Sequence, residues 1–218
     1  MTIESPRVRS PRADTTRLTI LSAAERLFAE NGIAAVSHRQ IIEAAGQRNI
    51  AAVTYHFGTK LDLVRAIEDR HGDHIESLRT RMIAGIGDSP ALQDWVGCLV
   101  KPLTDHLRLL GRPSFYARFA AQVMTDATYQ RVITKNGFES ATLGHVVAEI
   151  GQALPTLPAD VLAERSIMMR TMLMYTCAEF ERRLADGTPA PWPDWPMAGH
   201  GLIDGIVALM RGSISAVQ

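Results

Sequence analysis

The sequence predicts an all-α protein, with a three-helix N-terminal head and a helical body of about six further helices. Three observations carry this. Apolar residues make up 46% of the 218 positions but aromatics only 6%; Ala, Leu, Ile and Met supply much of the rest, a balance that favours helix. Apolar positions recur at spacings of three and four, and no segment alternates convincingly as a strand would. Capping pairs and glycines then cut the periodic stretches at regular places.

Each element follows in order. Residues 1–14, with Pro6 and Pro11, show no periodicity and read as a flexible basic arm. A first helix runs from about Thr15 to Glu30, with Leu21, Ala24 and Phe28 on one face, Leu27 widening it, and Asn31-Gly32 as its stop. Ser37 and Gln40 form an S-x-x-Q capping box that opens a second, short helix. Ile41, Ile42 and Ala45 give it an inner face, and Gly46 ends it. A third short helix spans about Ile50 to His56, with Asn49 as N-cap and Ile50, Val53 and Phe57 on one side. After Gly58, Thr59 and Asp62 form another capping box and open a long fourth helix to about Ala84, with the stripe Val64, Ile67, His71, Leu78 and Met82. Further helices are expected at 90–110, 114–125, 127–154, 158–185 and 198–215. The four prolines of DGTPAPWPDWPM separate the last two.

The bulk charge is uninformative, because 23 Lys and Arg match 23 Asp and Glu. Its distribution is not. Residues 1–60 hold eight basic and five acidic side chains, so a small basic head precedes an acidic body. Four of those positive charges, Arg7, Arg9, Arg12 and Arg17, lie within the first 17 residues. Two cysteines, Cys98 and Cys177, make no disulfide framework, so a reducing cytoplasm is expected. No apolar window of about 18 residues exists to span a membrane, and the N-terminus lacks the apolar core of a signal peptide.

Helices two and three are short, joined tightly at Gly46 and braced by helix one. That is a helix-turn-helix, whose second helix enters the DNA major groove. With Val53 at the centre of the buried side and about 100° per residue, Ile50 and Phe57 flank it. Ala51, Ala52 and Tyr55 then point outward, with Thr54 and His56 on the flanks. The two alanines let the backbone approach and offer methyls to thymine. Thr54, Tyr55 and His56 can bond phosphates or bases. Ser37 offers a hydroxyl at a helix N-terminus, Lys60 adds a charge at another, and Arg39, Gln40, Arg48 and Asn49 lie along the same edge.

The motifs ILSAAERLFAENGIAAVSHRQIIEAAG and YHFGTKLDLVRAI resemble the N-terminal domain of the tetracycline-repressor (TetR) family of transcriptional regulators. The resemblance covers Thr16 to about Ile67. It implies a helix-turn-helix DNA-binding domain over 15–60 and an effector-binding, dimerisation body over 61–218. It implies a ligand-responsive regulator, most often a repressor. Such a protein binds a palindromic double-stranded operator as a homodimer and is released by a small, mostly apolar effector. Two departures stand out: Gln47 to His56 is ten residues, one more than the family's usual spacing, and Thr54 occupies the family's tyrosine position.

For the body, Trp95, Cys98, Phe115, Phe119, Met124, Phe138, Met168, Met172 and Tyr175 are candidate pocket residues, each of a type that also serves ordinary core. Ile203, Ile206, Val207, Met210 and Ile214 form a broad apolar stripe suited either to a four-helix dimer interface or to the subunit's own core. No catalytic constellation is evident: G-x-S-x-G, Walker glycines and H-E-x-x-H are all missing. His71 and His74 at i, i+3 are at most half a metal site, so neither metal nor cofactor is expected. The competing reading is a helical small-molecule carrier whose head is merely a corner.

Overall fold

The computed structural model describes residues 11–49, 51–130, 140–154 and 157–213, with side chains from residue 14 onward. Among the described residues there are nine helices and no strand. They are α1 (Pro11–Asn31), α2 (His38–Ala44), α3 (Ala51–Phe57), α4 (Lys60–Ala84), α5 (Leu92–Leu110), α6 (Tyr116–Thr125), α7 (Ala141–Gln152), α8 (Ala159–Asp186) and α9 (Trp195–Arg211).

Three boundaries differ from the sequence reading. Helix α1 starts at Pro11, not Thr15, because proline at a first helical position loses no hydrogen bond. The long helix expected at 127–154 is interrupted: residues 127–129 are turns, Asp126 Oδ1 accepts from Thr128 N at 2.8 Å, and α7 opens afresh under its Ser140 cap. Apolar period alone does not register such local side-chain bonds. Helix α9 starts at Trp195 rather than Ala198, with Asp194 Oδ1 accepting from Met197 N at 2.9 Å and Pro196 tolerated in the first turn.

The head is α1 to α3. Ile20, Leu21, Ala24 and Phe28 of α1, Ile41 and Ile42 of α2 and Val53 of α3 are all buried in one apolar core. Gly46 makes the turn between α2 and α3 at φ +65°, a conformation that a side chain would strain. Helix α4 belongs to both parts. Its buried residues are Leu63, Val64, Ile67, Glu68, His71, Ile75 and Arg79, so the inner face drifts away from Leu78 and Met82, which are half-buried. A straight helix rotates about 20° per heptad relative to a strict seven-residue repeat.

In the body, α5 is the central helix, packed against α4, α7 and α9. Helix α6 lies between α1 of the head and α8 of the body. Phe28 of α1 stacks on Phe119 of α6, with ring centroids 6.1 Å apart. At the other side of α6, Glu181 of α8 is buried and accepts from the backbone N–H groups of Ala117 and Arg118, at 3.2 and 3.0 Å. It also pairs with Arg118 Nε at 3.2 Å. A carboxylate at a helix N-terminus satisfies orphan donors and the helix dipole together. Arg165 does the reverse for α9: buried, it donates to the carbonyls of Met210 and Gly212 at 2.8 and 2.6 Å.

Candidate functional site

Helix α3 has one anchored side. Val53 is fully buried and Phe57 nearly so, while Ala51, Thr54 and Tyr55 are exposed. Tyr55 is 85% exposed, the most open large apolar side chain among the described residues, and its ring meets His56 edge-on at 5.1 Å. Ala52 and His56 are half-buried and flank this outer face. Ala52 thus packs partly against the core rather than pointing outward as expected. Ile50 lies outside the described residues.

The turn supplies more of the edge. Asn49 and Arg48 are exposed, and Asn49 Oδ1 accepts from Ala51 N at 3.0 Å, which makes it a cap for α3. Arg17 of α1 lays its guanidinium over the Phe57 ring, 4.8 Å from its centroid, and fixes the far end of α3.

The expected phosphate contacts Ser37, Gln40, Arg39 and Lys60 are each engaged within the head. Ser37 and Gln40 complete their capping box: Ser37 N and Oγ both donate to Gln40 Oε1 at 2.8 Å, and Gln40 N donates to Ser37 Oγ at 3.3 Å. Arg39 pairs with Glu43 at 2.8 Å on the exposed side of α2, and that carboxylate raises the guanidinium pKa. Lys60 does not project freely. Its ammonium donates to the carbonyls of Ile33 and Ala34, at 3.1 and 3.5 Å, and ties the start of α4 to the loop after α1. His38, not singled out in the sequence, sits near this ammonium. Burial first, then the Lys60 charge, lowers its pKa. An S-H-R-Q start gives no hint of that, because the pairing is long-range.

The body candidates do not converge. Trp95, Cys98 and Phe119 are buried, Phe115, Met124 and Met172 half-buried, and Met168 and Tyr175 exposed. Phe138 lies outside the described residues. Phe119 is spent on the α1–α6 seam, and Met172 packs over Gly205 of α9. Of the nine, only Cys98 borders the cleft of about 320 Å³ between the end of α4, α5 and α9, which Met82, Ile86, Lys101 and His200 also line. Phe115 borders a more open hollow of about 510 Å³ beside Leu18 and Arg26 of α1. Residues adjacent in apolar character are dealt to different helices, and periodicity does not say which neighbour each face meets.

The α9 stripe is also placed differently. Ile203, Ile206 and Met210 are buried within the subunit and Val207 half-buried, against the central core. Ile214 lies outside the described residues. Three outward apolar side chains lie on α8, Ile167 at 56% exposure, Met168 at 51% and Tyr175 at 43%; others in the body are Leu109 and Leu110 of α5, Val147 of α7 and Met197 of α9.

The interior is unusually polar where head and body join. Glu25, His71, His106, Glu68 and Tyr116 are all buried. Tyr116 Oη donates to Glu68 Oε2 at 3.3 Å, and the ring stacks on His71 at 4.0 Å. Burial raises Glu68 to about 8 despite the Tyr116 bond, with Glu25 and Asp69 adding to the rise. No group of three or more His, Cys, Asp or Glu among the described residues is arranged to hold a metal ion. No described helix is long and apolar enough to cross a membrane.

Against known proteins, residues 20–67 match the family model for bacterial regulatory proteins of the tetR family. No curated protein sequence matches the chain. Solved structures of the same architecture do. A TetR family transcription regulator from Marinobacter aquaeolei VT8 is 19% identical, with a TM-score of 0.60 over 88% of this chain and 96% of that one. NalD, the secondary repressor of the MexAB-OprM multidrug efflux pump in Pseudomonas aeruginosa, is 18% identical at a TM-score of 0.59, over 91% and 98% of the two chains. A TetR-like regulator from Rhodococcus sp. RHA1 is 14% identical at 0.58, over 92% and 97%. At such identities these structures speak for fold alone. Residues 20–67 are thus similar to the N-terminal domain of the tetR family, and the all-α fold is that of solved regulators of this kind.

Proposed function

We propose that this protein is a ligand-responsive transcriptional repressor that binds a palindromic operator as a homodimer. The observation that carries the reading is the outer face of α3: Tyr55 at 85% exposure beside exposed Thr54 and Ala51, on a helix whose opposite side is locked by Val53 and Phe57. An aromatic left in water on a seven-residue helix has no packing role, and a major groove supplies one. Arg48, Thr54 and Tyr55 read bases. Ser37, Arg39, Gln40, Asn49 and His56 face the phosphates, with Lys60 placing the loop after α1 and donating its remaining proton. Residues 15–60 act as the DNA-binding unit and 61–218 as the effector and dimer unit, acting by binding rather than catalysis in the cytoplasm where the DNA lies.

Two-fold pairing doubles the contacts that one short helix makes. The outward apolar row Ile167, Met168 and Tyr175 on α8 supports pairing through that helix, with the exposed side of α9 beside it. A small, mostly apolar effector, held in the body near Cys98 and Met82, acts by binding a head arrangement that no longer fits the operator. The test is anisotropy with DNA from upstream of the protein's own gene. Nanomolar, two-fold symmetric binding that weakens steeply with salt is expected; equal affinity for unrelated duplexes, or none at low salt, refutes the reading.

A further inference from the structure

Four ionisable side chains from three helices form one continuous chain where head meets body. His71 Nε2 on α4 lies 2.9 Å from Glu25 Oε2 on α1. His71 Nδ1 lies 2.8 Å from His106 Nε2 on α5. His106 Nδ1 lies 2.8 Å from His74 Nδ1, one turn along α4 from His71. Glu25, His71 and His106 are buried, while His74 is half-buried. The chain therefore runs from a solvent-side ring, through the body, to the first helix of the head.

Its proton count is constrained. A neutral imidazole has one donor and one acceptor nitrogen. Three contacts need three protons, and three neutral rings supply them: His74 Nδ1–H donates to His106, His106 Nε2–H to His71, and His71 Nε2–H to the Glu25 carboxylate. His74 Nε2 is then left as a bare acceptor. One proton added there keeps every contact, because each shared proton can cross its own short contact and the charge moves toward Glu25. A second proton has no such place. It sets two donors against each other, or it neutralises Glu25 while a buried imidazolium loses its counter-charge. Burial first, then His71, His74 and Arg70, holds His106 down to about 3.

The ionisable groups next to the chain are Arg70 of α4, beside His106, and Glu68 of α4 and Tyr116 of α6, beside Glu25; Asp69 lies against Glu68 and Arg79 against Tyr116. Glu68 takes the Tyr116 hydroxyl, Arg70 donates to Ser22 Oγ of α1 at 3.1 Å, and Arg79 pairs with Glu76. On the far side of α6, Arg118 and Glu181 are paired with each other.

We propose that the Glu25–His71–His106–His74 chain is a proton-gated tie holding the head on the body, and that its opening in mild acid weakens operator binding. A head held in place needs no ordering when it docks, whereas a loosened head loses affinity through that ordering. The second half of the proposal rests on the DNA-binding reading above; the first half does not.

The experiment compares the full-length parent, His74→Gln and His106→Leu at pH 8.0 and 5.5. Protection of α1 backbone amides against hydrogen exchange is measured in the free protein, corrected for the intrinsic pH dependence, and operator affinity by anisotropy. The parent is expected to lose α1 protection at least about tenfold in acid, and operator affinity with it. His74→Gln keeps a donor for His106 but takes up no proton, so it should hold protection and affinity at both pH values. His106→Leu should be unprotected and weak at both. Equal α1 protection in the parent at the two pH values overturns the tie, as does acid loss undiminished in folded His74→Gln. Lost protection with unchanged operator affinity overturns the link to DNA. Stoichiometric Zn(II) binding that depends on His106 overturns the proton reading in favour of a metal site. If no DNA binds at any pH, the function reading fails while the exchange data still decide the tie.

Discussion

Replacing Tyr55 by alanine separates folding from DNA binding more cleanly than any other single change in the head. The ring is 85% exposed and its one ring contact is the edge of His56, so little burial is lost. Surface changes of this kind fall within about 0.5 kcal/mol, which moves the melting temperature of a chain this size by only about 1–2 °C. The effect on DNA is of another order. One good base or phosphate contact contributes about 1–3 kcal/mol. A dimer on a palindrome loses two, and even the lower bound of about 2 kcal/mol corresponds to roughly 30-fold in affinity. The assay is anisotropy against operator and scrambled duplex at fixed salt, with thermal melts of the same samples. A folded variant whose operator affinity falls less than about threefold would refute the assignment of this face to DNA.

Lys60→Ala should behave differently, because its ammonium serves the Ile33 and Ala34 carbonyls. About 1–2 kcal/mol of stability should go with it in urea unfolding, and all DNA sequences should weaken alike. The raised folded pKa of Glu68 means that its stabilising effect is complete below the ordinary value of 4.5 and is lost as pH rises toward about 8. Glu68→Gln should therefore flatten the stability profile between pH 5 and 9 in denaturant titrations; an unchanged slope would show that Glu68 is not the source. Converting Met168 and Tyr175 together to lysine should give a folded monomer by sedimentation, since both are exposed on α8 in the single subunit. A variant that stays dimeric would place the interface elsewhere.

The head was legible because its signals are local. Both capping boxes, at Ser37–Gln40 and Thr59–Asp62, form as their spacing implies, and Gly46 takes the positive φ that its turn needs. The anchored side of α3 follows from helical periodicity for Val53 and Phe57. The body was less readable because its decisive partners are far apart in sequence. Nothing near Glu181 announces that it caps α6. His71 falls on the inner stripe of its helix and His74 three residues on, but the sequence does not say that His106 and Glu25 are brought against them by packing. The apolar stripe at Ile203, Ile206 and Met210 was correctly apolar, but a stripe does not say whether it meets its own chain or another.

The clasp of Glu181 on the first turn of α6 has a mechanical consequence. Three hydrogen bonds set the register of α6 on α8, so sliding between these helices would break all three at once. The first turn of α6 is thus held from both sides, by Glu181 of α8 at Ala117 and Arg118 and, one residue on, by Phe119 against Phe28 of α1. A single helical turn therefore joins α8 of the body to α1 of the head, so a change that loosens Glu181 acts on both attachments at once.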